Sequence, residues 1–87
     1  MTHFFSPDLP LVDARGLSCP MPLLKAKLAL NGCERGEHIR VLATDAGSVR
    51  DFHSFAELSA HSLVLFSEHA EAPPSYFEYI LQKGPLA

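Results

Sequence analysis

Apolar and polar positions repeat along this chain with two different periods. The short run at 11–14 and the run at 38–44, which is rich in β-branched and apolar residues, are typical of strands. Between them, apolar residues recur at helical spacing over residues 20–31. This stripe is led by Met21, Leu24 and Leu28 and is widened by Leu23, Ala26 and Leu30. The pattern predicts a strand, then a helix whose apolar stripe faces the core, and then a second strand.

A second helix and two more strands are predicted in the rest of the chain. Residues 46–61 carry apolar side chains at helical spacing, and Asp45 is a candidate N-cap for them. Runs at 62–68 and 75–83 have strand character, and two prolines in the loop between them prevent regular pairing there. The two late strands are therefore expected to form a hairpin.

The predicted order is β-α-β-α-β-β. A strand–helix–strand unit implies parallel pairing with a right-handed crossover. The expected fold is α+β: a two-layer α/β sandwich in which two helices cover one face of a mixed four-stranded sheet. We assign residues 11–84 to this domain, residues 1–10 to a flexible N-terminal lead-in and residues 85–87 to a tail.

Composition narrows the classes of function. With 87 residues, 47% of them hydrophobic, the chain forms one small domain with a single core. A net charge of −3 with seven basic residues argues against direct binding of nucleic acid. We expect no membrane association, because no apolar run approaches the ~20 residues that span a bilayer. The N-terminus lacks signal-peptide features, so we expect the cytoplasm, where thiols stay reduced.

Cys19 is the candidate for chemistry. It directly precedes Pro20 and Pro22, where the first strand gives way to the first helix. Proline suits the first helical position, which would place Cys19 at the N-cap. Unpaired N–H groups and the positive end of the helix dipole there favour the thiolate. We therefore expect a lowered pKa at Cys19 and a turn shaped by the two prolines.

Several other uses of Cys19 lack partners in the sequence. Cys33 would lie at the far end of the helix, roughly 20 Å away, beyond disulfide reach. We expect no metal, since too few ligands are grouped, and the five histidines are remote in sequence. An exposed thiol that takes a group from one protein and gives it to another needs no second thiol, no metal and no histidine. Two alternatives stay open: a redox-sensing interaction module, and a small thiol enzyme with a histidine beside Cys19.

Residues 13–22, DARGLSCPMP, strongly resemble the signature of the TusA (SirA-like) family of sulfur carriers. The resemblance extends over about residues 9–84, including Gly36-Glu37, Thr44-Asp45 and Arg50-Asp51. It implies the same β-α-β-α-β-β sandwich and a persulfide on Cys19. It also implies a cysteine desulfurase as donor and a downstream sulfur-relay protein as acceptor. Such a protein is a carrier rather than an enzyme, and it needs no cofactor.

The resemblance leaves the final sulfur acceptor open. In one branch of the family the relay ends in 2-thiolation of the tRNA wobble uridine. Other branches are linked to molybdenum-cofactor enzymes or to further sulfur metabolism. Met21 stands where the tRNA-thiolating branch often has an acidic or polar residue, and Ala46 follows Asp45 where the family often has Asp-Asp-Pro.

Three further residues are candidates for supporting Cys19. Arg15 is a candidate for steering an acidic partner or stabilising a persulfide anion. Arg50, with Asp51 next to it, lies near Cys19 if both helices begin at the same sheet edge. Asp45 is the third candidate, as the expected cap of the second helix.

Overall fold

Six elements follow one another in the predicted order. The computed structural model describes residues 9–84. The elements are β1 (Leu11–Ala14), α1 (Met21–Asn31), β2 (His38–Ala43), α2 (Gly47–Leu58), β3 (Ser62–His69) and β4 (Tyr76–Gln82). The predicted fold class is therefore confirmed. The tail and all but the last two residues of the expected lead-in lie outside the described residues and stay predictions.

The four strands form one mixed sheet in the order β1-β2-β4-β3. β1 runs parallel to β2, with Leu11 opposite Arg40 and Ala14 opposite Ala43. β4 is antiparallel to both β2 and β3, so the expected hairpin is present. Because β1 and β2 are parallel neighbours, their carboxyl ends meet at one edge of the sheet. Both helices begin at that edge.

The core lies between the sheet and the two helices. It comprises Ala26, Leu30, Ile39, Val41, Ala43, Phe52, Tyr79 and Leu81. Phe52 of α2 stacks on Tyr79 of β4, with ring centroids 4.2 Å apart. The Tyr79 hydroxyl also shares a hydrogen bond of 2.8 Å with the buried Ser48 hydroxyl. These contacts fix the first turns of α2 against β4.

The buried face of α1 is not the one predicted. Pro22, Ala26 and Leu30 are buried, at i, i+4 and i+8. The side chains expected to lead the stripe are exposed: Met21 by 43%, Leu24 by 44% and Leu28 by 72%. Apolar residues almost encircle this helix, so their spacing does not select a face. The small Ala26 side chain on the observed face lets the helix backbone approach the sheet.

The C-terminal end of α1 is closed by backbone bonds and one lysine. The N–H groups of Gly32 and Cys33 donate to the carbonyls of Ala29 and Leu30. The Lys83 ammonium, just after β4, also donates to the Leu30 carbonyl, at 2.7 Å. These donors satisfy carbonyls that a helix end otherwise leaves unpaired.

Neither described helix is long and apolar enough to cross a membrane.

Candidate functional site

Cys19 lies in the loop that joins β1 to α1, and it is exposed. Gly16 turns this loop with a φ of +85°, a conformation that glycine adopts without strain. The Gly16 N–H donates to the Thr44 hydroxyl at 2.9 Å, just beyond the end of β2. The loop is thereby fastened to the sheet edge where both helices begin.

The start of α1 differs from the prediction by one residue. The helix begins at Met21, so Pro20 takes the N-cap position and Cys19 precedes it. Pro20 and Pro22 have no N–H groups, and the Met21 N–H donates to the Ser18 carbonyl at 2.9 Å. Both prolines lie in this turn, and they remove the donors that were expected to face the sulfur.

Asp45 connects the starts of the two helices. One of its carboxylate oxygens accepts from the Cys19 N–H at 3.3 Å and from the Gly47 N–H at 3.1 Å. The expectation that Asp45 is the N-cap is wrong by one residue, because Ala46 occupies that position. Since alanine has no polar side chain, the carboxylate of the preceding residue satisfies the first helical N–H instead.

The thiol itself bonds to a second carboxylate. Cys19 Sγ donates to Asp51 Oδ2 at 2.5 Å. This bond raises the pKa of Cys19, and partial loss of solvent and the negative charges of Asp51 and Asp45 raise it further. The positive charge of Arg50 acts in the opposite direction. The predicted lowering of the Cys19 pKa is therefore wrong, because Asp51 accepts the hydrogen bond of the thiol and, with Asp45, places negative charge beside the sulfur.

The structure brings Arg50 to the site but not the Arg15 guanidinium. The Arg15 guanidinium binds Asp13 through two hydrogen bonds of 2.8 Å and lies 5.8 Å from the centre of the Tyr76 ring. The hydrogen bonds from Arg15, together with its positive charge, lower the pKa of Asp13 to about 2. Arg15 is thus held by its own neighbour in sequence rather than by Cys19.

Gly47 is a site residue that the sequence analysis missed. A Cβ atom there would lie 2.9 Å from Asp45 Oδ2, 3.4 Å from Cys19 Cβ and 3.7 Å from Cys19 Sγ. Gly47 and Asp51 are four residues apart, so they share the face of α2 that meets Cys19. The available signal was a glycine two residues after the candidate cap Asp45, inside the range predicted for the helix, because glycine is a poor helix former.

In the described part of the chain, the thiol bonds to a carboxylate, and three histidines bond to other groups. Among residues 9–84, no group of three or more His, Cys, Asp or Glu could hold a metal ion. His53 bonds to the Val49 carbonyl, His61 accepts from the Gly84 N–H, and His69 pairs with Glu78. The partner of the thiol is a carboxylate, which gives no support to the alternative of a histidine-assisted thiol enzyme. The arrangement suits an exposed sulfur that forms and loses a covalent bond.

Known proteins resemble this chain over nearly its whole length. The family model described as sulfurtransferase TusA matches residues 11–83. The sulfur carrier protein TusA of Allochromatium vinosum is 39% identical over 73 residues, covering 84% of this chain and 91% of that protein. YrkI of Bacillus subtilis is 32% identical, covering 85% of this chain and 93% of its own length.

A solved structure has the same fold. The crystal structure of a SirA-like protein from Desulfitobacterium hafniense aligns with a TM-score of 0.68 at 24% identity. The alignment covers 88% of this chain and 100% of that one. The fold and the family match agree. This chain belongs to the TusA family of sulfur carrier proteins.

Proposed function

We propose that this protein carries sulfur as a persulfide on Cys19. The exposed Cys19 thiol at the start of α1 is the observation that carries the proposal. A cysteine desulfurase supplies the sulfur, and a downstream sulfur-relay protein receives it. The reaction needs access, which the open surface provides, and a thiolate, which forms when the thiol loses its proton.

The transfer balances without a cofactor. The Cys19 thiol loses its proton, and the thiolate attacks the terminal sulfur of the desulfurase persulfide. A new S–S bond forms as the old one breaks, and the desulfurase cysteine leaves as a thiolate that takes up a proton. Delivery repeats these steps, with Cys19 as the leaving group. No net oxidation or reduction occurs.

The surface beside Cys19 suits contact with two partners in turn. Met21 and Leu24 of α1 are exposed close to the thiol in sequence and on one side of the helix. Exposed apolar side chains near a reactive atom are common at interaction sites. Met21, the residue between the two prolines, is where this surface differs from the tRNA-thiolating branch.

For the destination of the sulfur, the first candidate is tRNA 2-thiouridine synthesis, in the cytoplasm. Molybdenum-cofactor or other sulfur metabolism is the alternative. Transfer of labelled sulfur from the loaded protein to tRNA uridine in a cell extract separates the two. Labelled tRNA supports the first destination, and label found only in protein or cofactor fractions contradicts it.

Loading is tested by incubating the protein with a cysteine desulfurase and ³⁵S-labelled cysteine, followed by intact mass measurement. The wild type should gain the mass of one sulfur atom, and reducing agent should remove it. Cys19→Ser should gain nothing, whereas Cys33→Ser should load like the wild type. A wild type that stays unlabelled, or a label on Cys33, would contradict the proposal.

A further inference from the structure

We propose that Asp51 is a positioning residue that holds the empty carrier as a hydrogen-bonded, neutral thiol, and that loading with sulfur releases this restraint. The contact that supports this is the 2.5 Å bond from Cys19 Sγ to Asp51 Oδ2. Asp51 is half-buried in the second turn of α2, so helix packing holds its carboxylate in place. The second half of the proposal rests on the persulfide function proposed above.

The groups around the sulfur explain why the thiol form is favoured. Asp51 and Asp45 both disfavour a negative charge on Cys19, and Arg50 favours one. The prolines on the α1 side supply no N–H donors to the sulfur. A Cβ atom at position 47 would lie 3.7 Å from Cys19 Sγ, so Gly47 adds no side chain beside the sulfur. Two carboxylates against one guanidinium leave the thiolate with unfavourable surroundings.

Loading changes the chemistry at Sγ. In a persulfide this atom is bonded to a second sulfur about 2 Å away and has no proton to donate. The hydrogen bond to Asp51 is therefore lost. The negative charge of the persulfide lies on the terminal sulfur, which the Asp51 carboxylate repels. The loaded sulfur is then directed away from α2 towards solvent, where an acceptor approaches.

The consequence is a carrier that is less reactive when empty than when loaded. Thiolates, not thiols, attack disulfides and other electrophiles. By disfavouring the empty thiolate, Asp51 protects Cys19 from stray oxidants and mixed disulfides. The terminal sulfur of the loaded form lies farther from Asp51 and is restrained less, because the Coulomb energy falls with distance.

The test compares Asp51→Asn with Glu57→Gln, an equal charge change at an exposed position of the same helix. The rate of iodoacetamide alkylation at Cys19 is followed against pH by mass spectrometry of peptides. Cys33 in the same molecules serves as an internal reference. Asp51→Asn should shift the profile to lower pH and raise the neutral-pH rate about fivefold, as expected for one charge beside an exposed thiol. Glu57→Gln should match the wild type.

A profile for Asp51→Asn that superimposes on the wild type would overturn the proposal. Circular dichroism establishes that each variant is folded. If Asp51→Asn does not fold, Asp51→Ser, which also lacks the charge and is small enough for the same space, is measured instead and should show the same shift. These measurements use no sulfur donor, so they succeed or fail independently of the persulfide function.

A second arm uses protein loaded by the desulfurase. Asp51→Asn should raise the alkylation rate of the terminal sulfur by about twofold, less than for the empty thiol, because the Coulomb energy falls as the inverse of distance. An equal or larger effect on the loaded form would contradict the proposed release. Failure to load at all would instead contradict the proposed function and leave the result for the empty thiol intact.

Discussion

The two ends of α1 each carry a cysteine, and the two cysteines have opposite surroundings. Cys19 precedes the helix, is exposed and bonds to the Asp51 carboxylate. Cys33 follows the helix, is half-buried and donates to the Ala29 carbonyl at 3.4 Å. Both thiol pKa values are raised, that of Cys19 mainly by its hydrogen bond to Asp51 and that of Cys33 mainly by burial.

The two ends of α1 therefore differ in role: the N-terminal end carries the candidate site, and the C-terminal end contributes to the stability of the fold. The C-terminal end is held by Leu30 in the core and by the Lys83 ammonium on the Leu30 carbonyl. The N-terminal end is held by the polar contacts of Thr44, Asp45 and Asp51, outside the core. Changes at the first end should therefore cost stability, and changes at the second should alter the reactivity of Cys19.

The largest expected effect is at the buried end. Leu30→Ala should lower the free energy of unfolding by about 3 kcal/mol, since it removes a fully buried side chain and leaves a cavity. Leu28→Ala, two residues earlier on the exposed face, should change it by less than about 0.5 kcal/mol. Urea denaturation measures both. Equal losses would show that the two faces of α1 have been assigned wrongly.

At the other end, Gly47→Ala should impair sulfur acceptance. Its Cβ atom would lie 2.9 Å from Asp45 Oδ2 and displace the carboxylate that holds the Cys19 N–H. We expect acceptance of sulfur from a desulfurase to slow by about tenfold, as a misplaced reacting group does. Gly32→Ala, where the nearest contact is an ordinary 3.6 Å, is the control and should accept sulfur normally. Unimpaired acceptance by Gly47→Ala would rule out this role of the glycine.

A smaller loss of stability is expected from Lys83→Met. This variant keeps the length and much of the apolar part of the side chain but removes the donor to the Leu30 carbonyl. The expected cost is about 1 kcal/mol, the net worth of one hydrogen bond. Lys25→Met, on the exposed side of α1, should cost nothing measurable. Sulfur acceptance should be normal in both variants, and a loss in Lys83→Met alone would break the proposed separation of the two ends.

The smallest effect is a pH dependence at Cys33. Burial raises its pKa above the usual 9.0, so the folded state binds the thiol proton more tightly than the unfolded chain. That contribution is fully present below about pH 9 and is lost as the pH rises through the folded pKa. The free energy of unfolding should therefore fall less steeply in Cys33→Ala than in wild type above about pH 9. Parallel curves would contradict a buried thiol at this end.

The elements with clear sequence boundaries were predictable. β1 matches its predicted range, and β2 ends one residue early, at Ala43. Both runs are short, apolar and bounded by turn residues, so local composition is sufficient to place them. The face of α1 was not predictable, because leucines lie around most of the helix and the choice depends on how the chain leaves β1.

Some features of the candidate site could likewise be predicted from the sequence, and others could not. Cys19 and its two prolines are adjacent in sequence, so the pattern identifies the thiol directly. The direction of its pKa depends on Asp51, which lies 32 residues away and reaches the sulfur only through the packing of α2. Arg15 is nearer in sequence, yet Asp13, two residues before it, binds its guanidinium. Adjacency in sequence thus identified the candidate thiol but not its electrostatic partners.

The stacked Phe52–Tyr79 pair and the hydroxyl bond to Ser48 have an optical consequence. The chain contains no tryptophan and two tyrosines. Tyr79 is buried and stacks on Phe52 of α2, whereas Tyr76 stacks on His69 at the end of the hairpin. Tyr79 is therefore a built-in ultraviolet chromophore for the first turns of α2. Because the carrier has no tryptophan, tryptophan emission from a complex would come from the docking protein.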